Sequence, residues 1–207
     1  MKKLVLELVV QISCFRGDDW RADAGKTGER GMAYGILVLG GARSGKSRHA
    51  EALALAHAGR RVYVATATPD DAEMRARIAE HRRRREGQAW EVVEEPVALA
   101  RALKRHAAED AFVLVDCLTL WLSNLMMREM NVGAAVAELA ELLPALPGTV
   151  CMVSNEVGLG IVPEHPLGRL FRDEAGWAHQ MLAEVMDEVR FMIAGLPLML
   201  KQPPRRG

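Results

Sequence analysis

Cysteine is scarce in this chain: Cys14, Cys117 and Cys151 are its only three, odd in number and far apart. That spacing excludes a disulfide framework, offers no paired zinc ligands, and suits a reducing, cytoplasmic setting. Net charge is absent, with 27 Lys+Arg against 27 Asp+Glu. A general nucleic-acid coat, which needs excess positive charge, is thereby excluded. Long apolar runs are missing as well. The longest, Phe191 to Leu200, contains Gly195 and Pro197 and falls short of the roughly 20 residues that span a bilayer. No repeat or low-complexity block interrupts the chain from Gly35 onward. What remains is ordinary for a folded domain: 207 residues, half of them apolar and 26% charged. This length favours one domain, and the hydrophobicity argues against disorder.

The first residues, MKKLVLELVVQISC, have some look of a signal peptide. Glu7 and Gln11 break the apolar stretch, however, and no small-x-small cleavage site follows. The next stretch, RGDDWRADAGKTGERG, is polar and Gly-rich like a linker. Residues 1–33 are therefore expected to be an extension outside the fold, with Met32 a second candidate start, and residues 34–207 to form the domain.

From Gly35 the pattern alternates. GILVLGG, RVYVATAT, AFVLVDCLT and TVCMVSNEVG read as buried strands, WEVVEE as a short strand, and RFMIAGLPLMLK as a final strand or hairpin. SRHAEALALAHAG, DAEMRARIAEHRRRRE, PVALARALKRHAAE, LWLSNLMMREM, GAAVAELAELLPAL and PLGRLFRDEAGWAHQMLAEVMDEV read as helices between them. The second of these is expected to be capped by the acids after Pro69, the third to open on its proline, and the last to be one long helix with Gly168 and Gly176 as candidate breaks. The order implies an α/β fold, a mostly parallel sheet with helices on both faces. Ligands of such sheets sit beyond the carboxyl ends of the strands.

At the end of the first strand, Gly40-Gly41-Ala42-Arg43-Ser44-Gly45-Lys46-Ser47 fits G-x-x-x-x-G-K-[ST], with a strand before it and a helix after. Backbone N–H groups of such a loop curl around phosphate oxygens, and the helix N-terminus adds positive potential. Lys46 is expected at the β and γ phosphates, and Ser47 on Mg²⁺. Asp116 ends another apolar strand, where a second acid holds Mg²⁺; next to a phosphate loop that role is favoured over an ordinary helix cap.

His81 lies in RARIAEHRRRRE, sharing a helix face with Arg77, Arg84 and Arg85. Arginines there suit phosphate, and neighbouring positive charge favours the neutral imidazole that acts as a nucleophile. On composition alone a solvated basic face is the better reading. Glu94 and Glu95 default to surface carboxylates. Asn155-Glu156 fall at the ligand edge, and the Gly/Pro-rich loop after them is a candidate substrate lid.

Taken in order, GGARSGKSRHAE, ATATPDDAEMRARIAEHRRRR, VLVDCLTLWLSNL and VSNEVGLGIVPEHPLGRLFRDEAG resemble the bifunctional adenosylcobinamide kinase / adenosylcobinamide-phosphate guanylyltransferase family. The resemblance runs from about Tyr34 to Lys201. It implies a P-loop, RecA-like sheet, a homotrimer and two reactions. In one, ATP or GTP phosphorylates the aminopropanol hydroxyl of adenosylcobinamide. In the other, GTP guanylylates a histidine, which passes GMP to adenosylcobinamide phosphate. The family's histidine falls on His81, which reverses the reading from composition. Its nucleotide contacts fall on Gly40 through Ser47, on Thr66, Ala67 and Thr68, on Arg82, Arg83 and Arg84, and on Glu94 and Asp116. Two rivals stay open on the residues alone: a plain P-loop kinase and a nucleotide-dependent switch. Trp121, Leu159, Ile161 and Trp177 are candidates for corrin contact, although core packing is the default use of each.

Overall fold

The computed structural model describes residues 34–68 and 72–202, without the side chains of Glu73, Arg77 and Arg84. The expected extension, the acidic cap after Pro69, Cys14 and the Arg77 and Arg84 assignments lie outside the described set.

Seven strands form one sheet in the order β3-β2-β4-β5-β1-β6-β7. They are β1 (Tyr34–Gly40), β2 (Arg60–Ala65), β3 (Trp90–Glu94), β4 (Ala111–Asp116), β5 (Thr149–Asn155), β6 (Glu188–Ile193) and β7 (Leu196–Lys201). All neighbours pair parallel except β6 and β7. The helices are α1 (Lys46–Ala56), α2 (Ala72–Arg85), α3 (Leu99–His106), α4 (Leu118–Met127), α5 (Val132–Leu142) and α6 (Pro166–Val185). The central strands β1, β4 and β5 are mostly apolar and buried along nearly their whole length because both sheet faces are covered.

Strand alternation sends side chains to two cores. Leu37, Val113, Val115 and Met152 pack with Leu103, Leu122, Leu139 and Leu182 of α3–α6. Ile36, Val38, Phe112 and Leu114 pack with Ala50, Leu53 and Ala54 of α1. Four helices thus contribute to the first core, and the second takes its buried helical part from α1, with Leu120 of α4 packed against it.

One boundary differs from the pattern. Helix α3 does not open on Pro96 but starts at Leu99, because Glu95 Oε1 accepts the amides of Val97 and Ala98 at 3.1 and 2.7 Å and holds these residues in a turn before the helix. Helix α6 runs unbroken through Gly168 and Gly176, held by the burial of Ala175, Ala178 and Leu182. It opens on Pro166, whose missing N–H costs nothing in the first turn. The last segment is a hairpin, turned at Ala194 and Gly195 with φ of 52° and 84°.

Candidate active site

The parallel strands deliver their carboxyl ends to one edge: Gly40 lies beside Asn155, and Ala65 lies between Asp116 and Glu94. The phosphate loop leaves this edge. Gly45 sits in the left-handed region at φ 94°, where a side chain is strained, and a Cβ there would approach Gly195 Cα at 3.2 Å. The Gly195 amide also donates to the Ser44 carbonyl at 3.0 Å. The β6–β7 turn therefore braces the phosphate loop from outside, a long-range support with no local signature. Lys46 is buried, and its Nζ donates to the Gly41 carbonyl at 3.0 Å, curled over the loop it serves.

Helix α2 forms the facing wall. His81 Nδ1 lies 3.9 Å from Asp116 Oδ2. That same oxygen accepts the Tyr63 hydroxyl at 3.0 Å. Burial, and then the Asp116 charge, push the Tyr63 pKa well up, so the phenol stays protonated and donates. The Arg85 guanidinium stacks 3.5 Å over the Tyr63 ring and lies 3.9 Å from Glu51 of α1. Arg85 thus pins the end of α2 to the sheet, while Asp116 faces its histidine.

Between the walls lies a cleft of about 1050 Å³, lined by 42–48, by Ala76, Glu80, His81 and Arg83, and by Asn155, Glu156 and Val157. The structure so brings the expected Lys46, Ser47, His81 and Arg83 together. Arg82 and Glu94 pair with each other and instead line a smaller concavity of about 540 Å³ with Trp90 and Val92. Thr66 is fully buried, its hydroxyl bonded to both the amide and the carbonyl of Cys117 at 2.8 Å. Its side chain supports the site from behind, and Ala67 and Thr68 follow half-buried at the edge. Asn124, which lies in VLVDCLTLWLSNL with no role assigned to it there, ties this turn down by donating to the carbonyls of Thr66 and Pro96 at 2.8 and 3.0 Å.

Ser47 and Asp116 offer a hydroxyl and a carboxylate, hard oxygen donors that fit Mg²⁺ bound mainly by phosphates and water. Burial pushes the Cys117 thiol up to about 11 and Cys151 up to about 12, so neither is a nucleophile here. Past β5, Arg169 Nη1 donates to the carbonyls of Pro163 and Glu164 at 3.0 and 2.6 Å, tying the Gly/Pro loop to α6. On this loop Leu159 and Ile161 are 81% and 97% exposed, and Trp177 of α6 is 60% exposed. Trp121 is a core residue at 2%. Among the described residues, no helix is long and apolar enough to cross a membrane.

The chain is similar to known proteins over most of its length. The bifunctional adenosylcobalamin biosynthesis protein CobP of Pseudomonas aeruginosa is 52% identical over 171 residues, 81% of this chain and 98% of that protein. The corresponding CobU of Escherichia coli is 38% identical over 181 residues, 80% of this chain and 99% of that protein. Among solved structures, the flagellar accessory protein FlaH of Methanocaldococcus jannaschii shares the fold at TM-score 0.51 and 15% identity, covering 91% of this chain and 86% of FlaH. The family described as cobinamide kinase / cobinamide phosphate guanyltransferase matches residues 36–200, and the chain belongs to it.

Proposed function

We propose that residues 34–207 carry out both family reactions in the cleft between the phosphate loop and α2, with His81 as the covalent carrier of GMP. The observation behind this reading is the placement of His81 across the cleft from Lys46, its Nδ1 turned toward Asp116. At 3.9 Å the Asp116 charge orients Nδ1–H toward itself without a direct hydrogen bond, which leaves Nε2 as the attacking nitrogen and stabilises the charge the ring acquires. Nε2 bonds to the α-phosphorus of GTP as pyrophosphate leaves. A phosphate oxygen of the cobinamide phosphate then bonds to the same phosphorus, the P–N bond breaks, and adenosylcobinamide-GDP forms. One difficult exchange becomes two easier ones.

For the kinase reaction, the loop amides and Lys46 hold the triphosphate of ATP or GTP and neutralise the charge that develops on it. Mg²⁺ bound through Ser47 and Asp116 would supply further positive charge at the phosphates. Arg83 lines the same cleft and is assigned to phosphate. Arg82, Arg84 and Glu94 are assigned to the rest of the nucleotide, Glu94 being a natural acceptor for a base that presents N–H donors. Thr66, Ala67 and Thr68 form the turn against which it rests. The exposed Leu159, Ile161 and Trp177 suit an apolar ring acceptor such as the corrin. A cytoplasmic homotrimer completes the reading, supported by Leu196, Leu198 and Leu200, half-exposed or more along edge strand β7.

The test is an intact-mass spectrum of the protein mixed with GTP and Mg²⁺ without acceptor. A GMP-sized, acid-labile gain is expected, absent from His81→Ala, which keeps much of its kinase activity. No adduct with nucleotide binding intact would overturn the covalent route.

A further inference from the structure

One polar cluster, used by neither step above, joins the cleft to the core behind it. Glu156 lies one residue past β5 and lines the cleft. Its amide donates to the Gly40 carbonyl at 3.0 Å, which seats it where the phosphate loop begins. The carboxylate is then placed from two sides. Oε1 accepts the Gly158 amide at 2.5 Å, and Oε2 lies 3.8 Å from His179 Nδ1. A Cβ at position 158 would stand 2.8 Å from Oε1, so this glycine makes room for the carboxylate.

His179 is buried, and its Nε2 lies 2.7 Å from the Oγ of fully buried Ser154. Burial lowers the imidazole pKa, with Glu156 pulling the other way. A neutral ring accepts the Ser154 hydroxyl at Nε2 and turns Nδ1–H toward the carboxylate. At 3.8 Å this is orientation by charge rather than a direct hydrogen bond. Two other acids near the cleft are placed differently: Asp116 is engaged by Tyr63 and faces His81, and Glu80 stands exposed on α2.

We propose that Glu156 is the general base of the kinase step and that His179 is its positioning residue; this rests on the family's kinase reaction running in the same cleft. The acceptor hydroxyl oxygen bonds to the γ-phosphorus while its proton passes to a Glu156 oxygen. The bond from that phosphorus to the β,γ-bridging oxygen breaks, and its electron pair leaves with the nucleoside diphosphate. Glu156 then returns the proton to solvent. Guanylylation of His81 removes no hydroxyl proton, so it does not call on this base.

Glu156→Gln keeps the size and the acceptor oxygen and removes the basicity. Its kcat for cobinamide phosphorylation is expected to fall about 10²-fold, with KM for nucleotide and acceptor unchanged and the GMP adduct still formed from GTP. A kinase rate within about threefold of the parent would overturn the assignment, threefold being under 1 kcal/mol of barrier. Equal loss of adduct formation would also overturn it, by marking a role in holding nucleotide. His179→Gln is expected to slow the kinase about tenfold alone and to add nothing in the Glu156→Gln background. Additive losses would refute the positioning role. Should the parent form no GMP adduct, the covalent route fails alone. Nucleotide binding then replaces adduct formation as the control, and the kinase rates still decide this proposal.

Discussion

On one wall of the cleft the phosphate loop grows out of β1, the strand between β5 and β6, and is held by backbone. Gly195 donates to Ser44, Glu156 to Gly40, and Lys46 folds back onto Gly41. On the other wall α2 is a helix of mostly charged residues, held by a few side-chain contacts. Arg85 covers Tyr63, and His81 faces Asp116. The first wall is fixed by strand register, so its geometry survives most side-chain changes. The second depends on individual charged groups, each of which can be lost. A rigid loop opposite an adjustable wall suits the proposed use of one cleft for two reactions on one class of nucleotide.

The sharpest break is on the rigid wall. Lys46→Ala is expected to reduce both phosphorylation and guanylylation about 10³-fold, since each needs the triphosphate charge neutralised at the same place. Loss of one reaction only, measured in parallel assays on one preparation, would show that the two reactions do not share this grip.

A smaller effect belongs to the other wall. Arg85→Lys keeps the charge and loses the flat guanidinium that stacks on Tyr63. A shift of α2 by about 1 Å is enough to slow a positioned nucleophile on the order of 10²-fold. Adduct formation is expected to fall by roughly 10–100-fold while the kinase rate stays within about threefold. Equal losses would mean that α2 is part of the same rigid unit as the phosphate loop.

The two walls also differ in how far the sequence reveals them. The phosphate loop is legible because its chemistry is local: glycines, a lysine and a serine at fixed spacing between a strand and a helix. Strand ends at Asp116 and Asn155 follow from the same logic, since apolar runs stop where the ligand edge begins. The α2 wall is illegible from composition, which reads its arginines as a solvated face. Only the resemblance singled out His81. The contacts that distinguish Arg85 from its neighbours, with Tyr63 and Glu51, come from distant elements. Asn124, the Gly195 brace and the Ser154–His179–Glu156 cluster were hidden for the same reason, their partners being 25 to more than 150 residues away in the chain for all but the His179–Glu156 contact. The α3 start differs from the pattern because a proline is a common helix opener, whereas here the Glu95 side chain folds Val97 and Ala98 into a turn ahead of the helix.

The mildest prediction concerns acid and returns to the rigid wall. His49 stands on α1, just after the phosphate loop, and its Nε2 lies 3.1 Å from Arg190 Nη1. A guanidinium only donates, so this nitrogen accepts and the ring is neutral. Burial, and then the Arg190 charge, lower the His49 pKa to about 4. Arg190 cannot turn away, because Glu188 holds it and Tyr34 donates to Glu188 from β1. The unfolded chain binds a proton at His49 near pH 6.5 and the folded one near 4, so the unfolded state holds more protons between those values. Stability from this site is complete above about 6.5 and declines as pH falls toward 4, by at most about 1.4 kcal/mol per pH unit. His57 and His179, both lowered by burial, act in the same direction. Thermal melts from pH 7 to 4.5 are therefore expected to fall steadily, and His49→Gln, which keeps an acceptor for Arg190, to flatten part of that slope. An unchanged slope in this variant would place the acid sensitivity elsewhere and leave the phosphate-loop wall indifferent to pH.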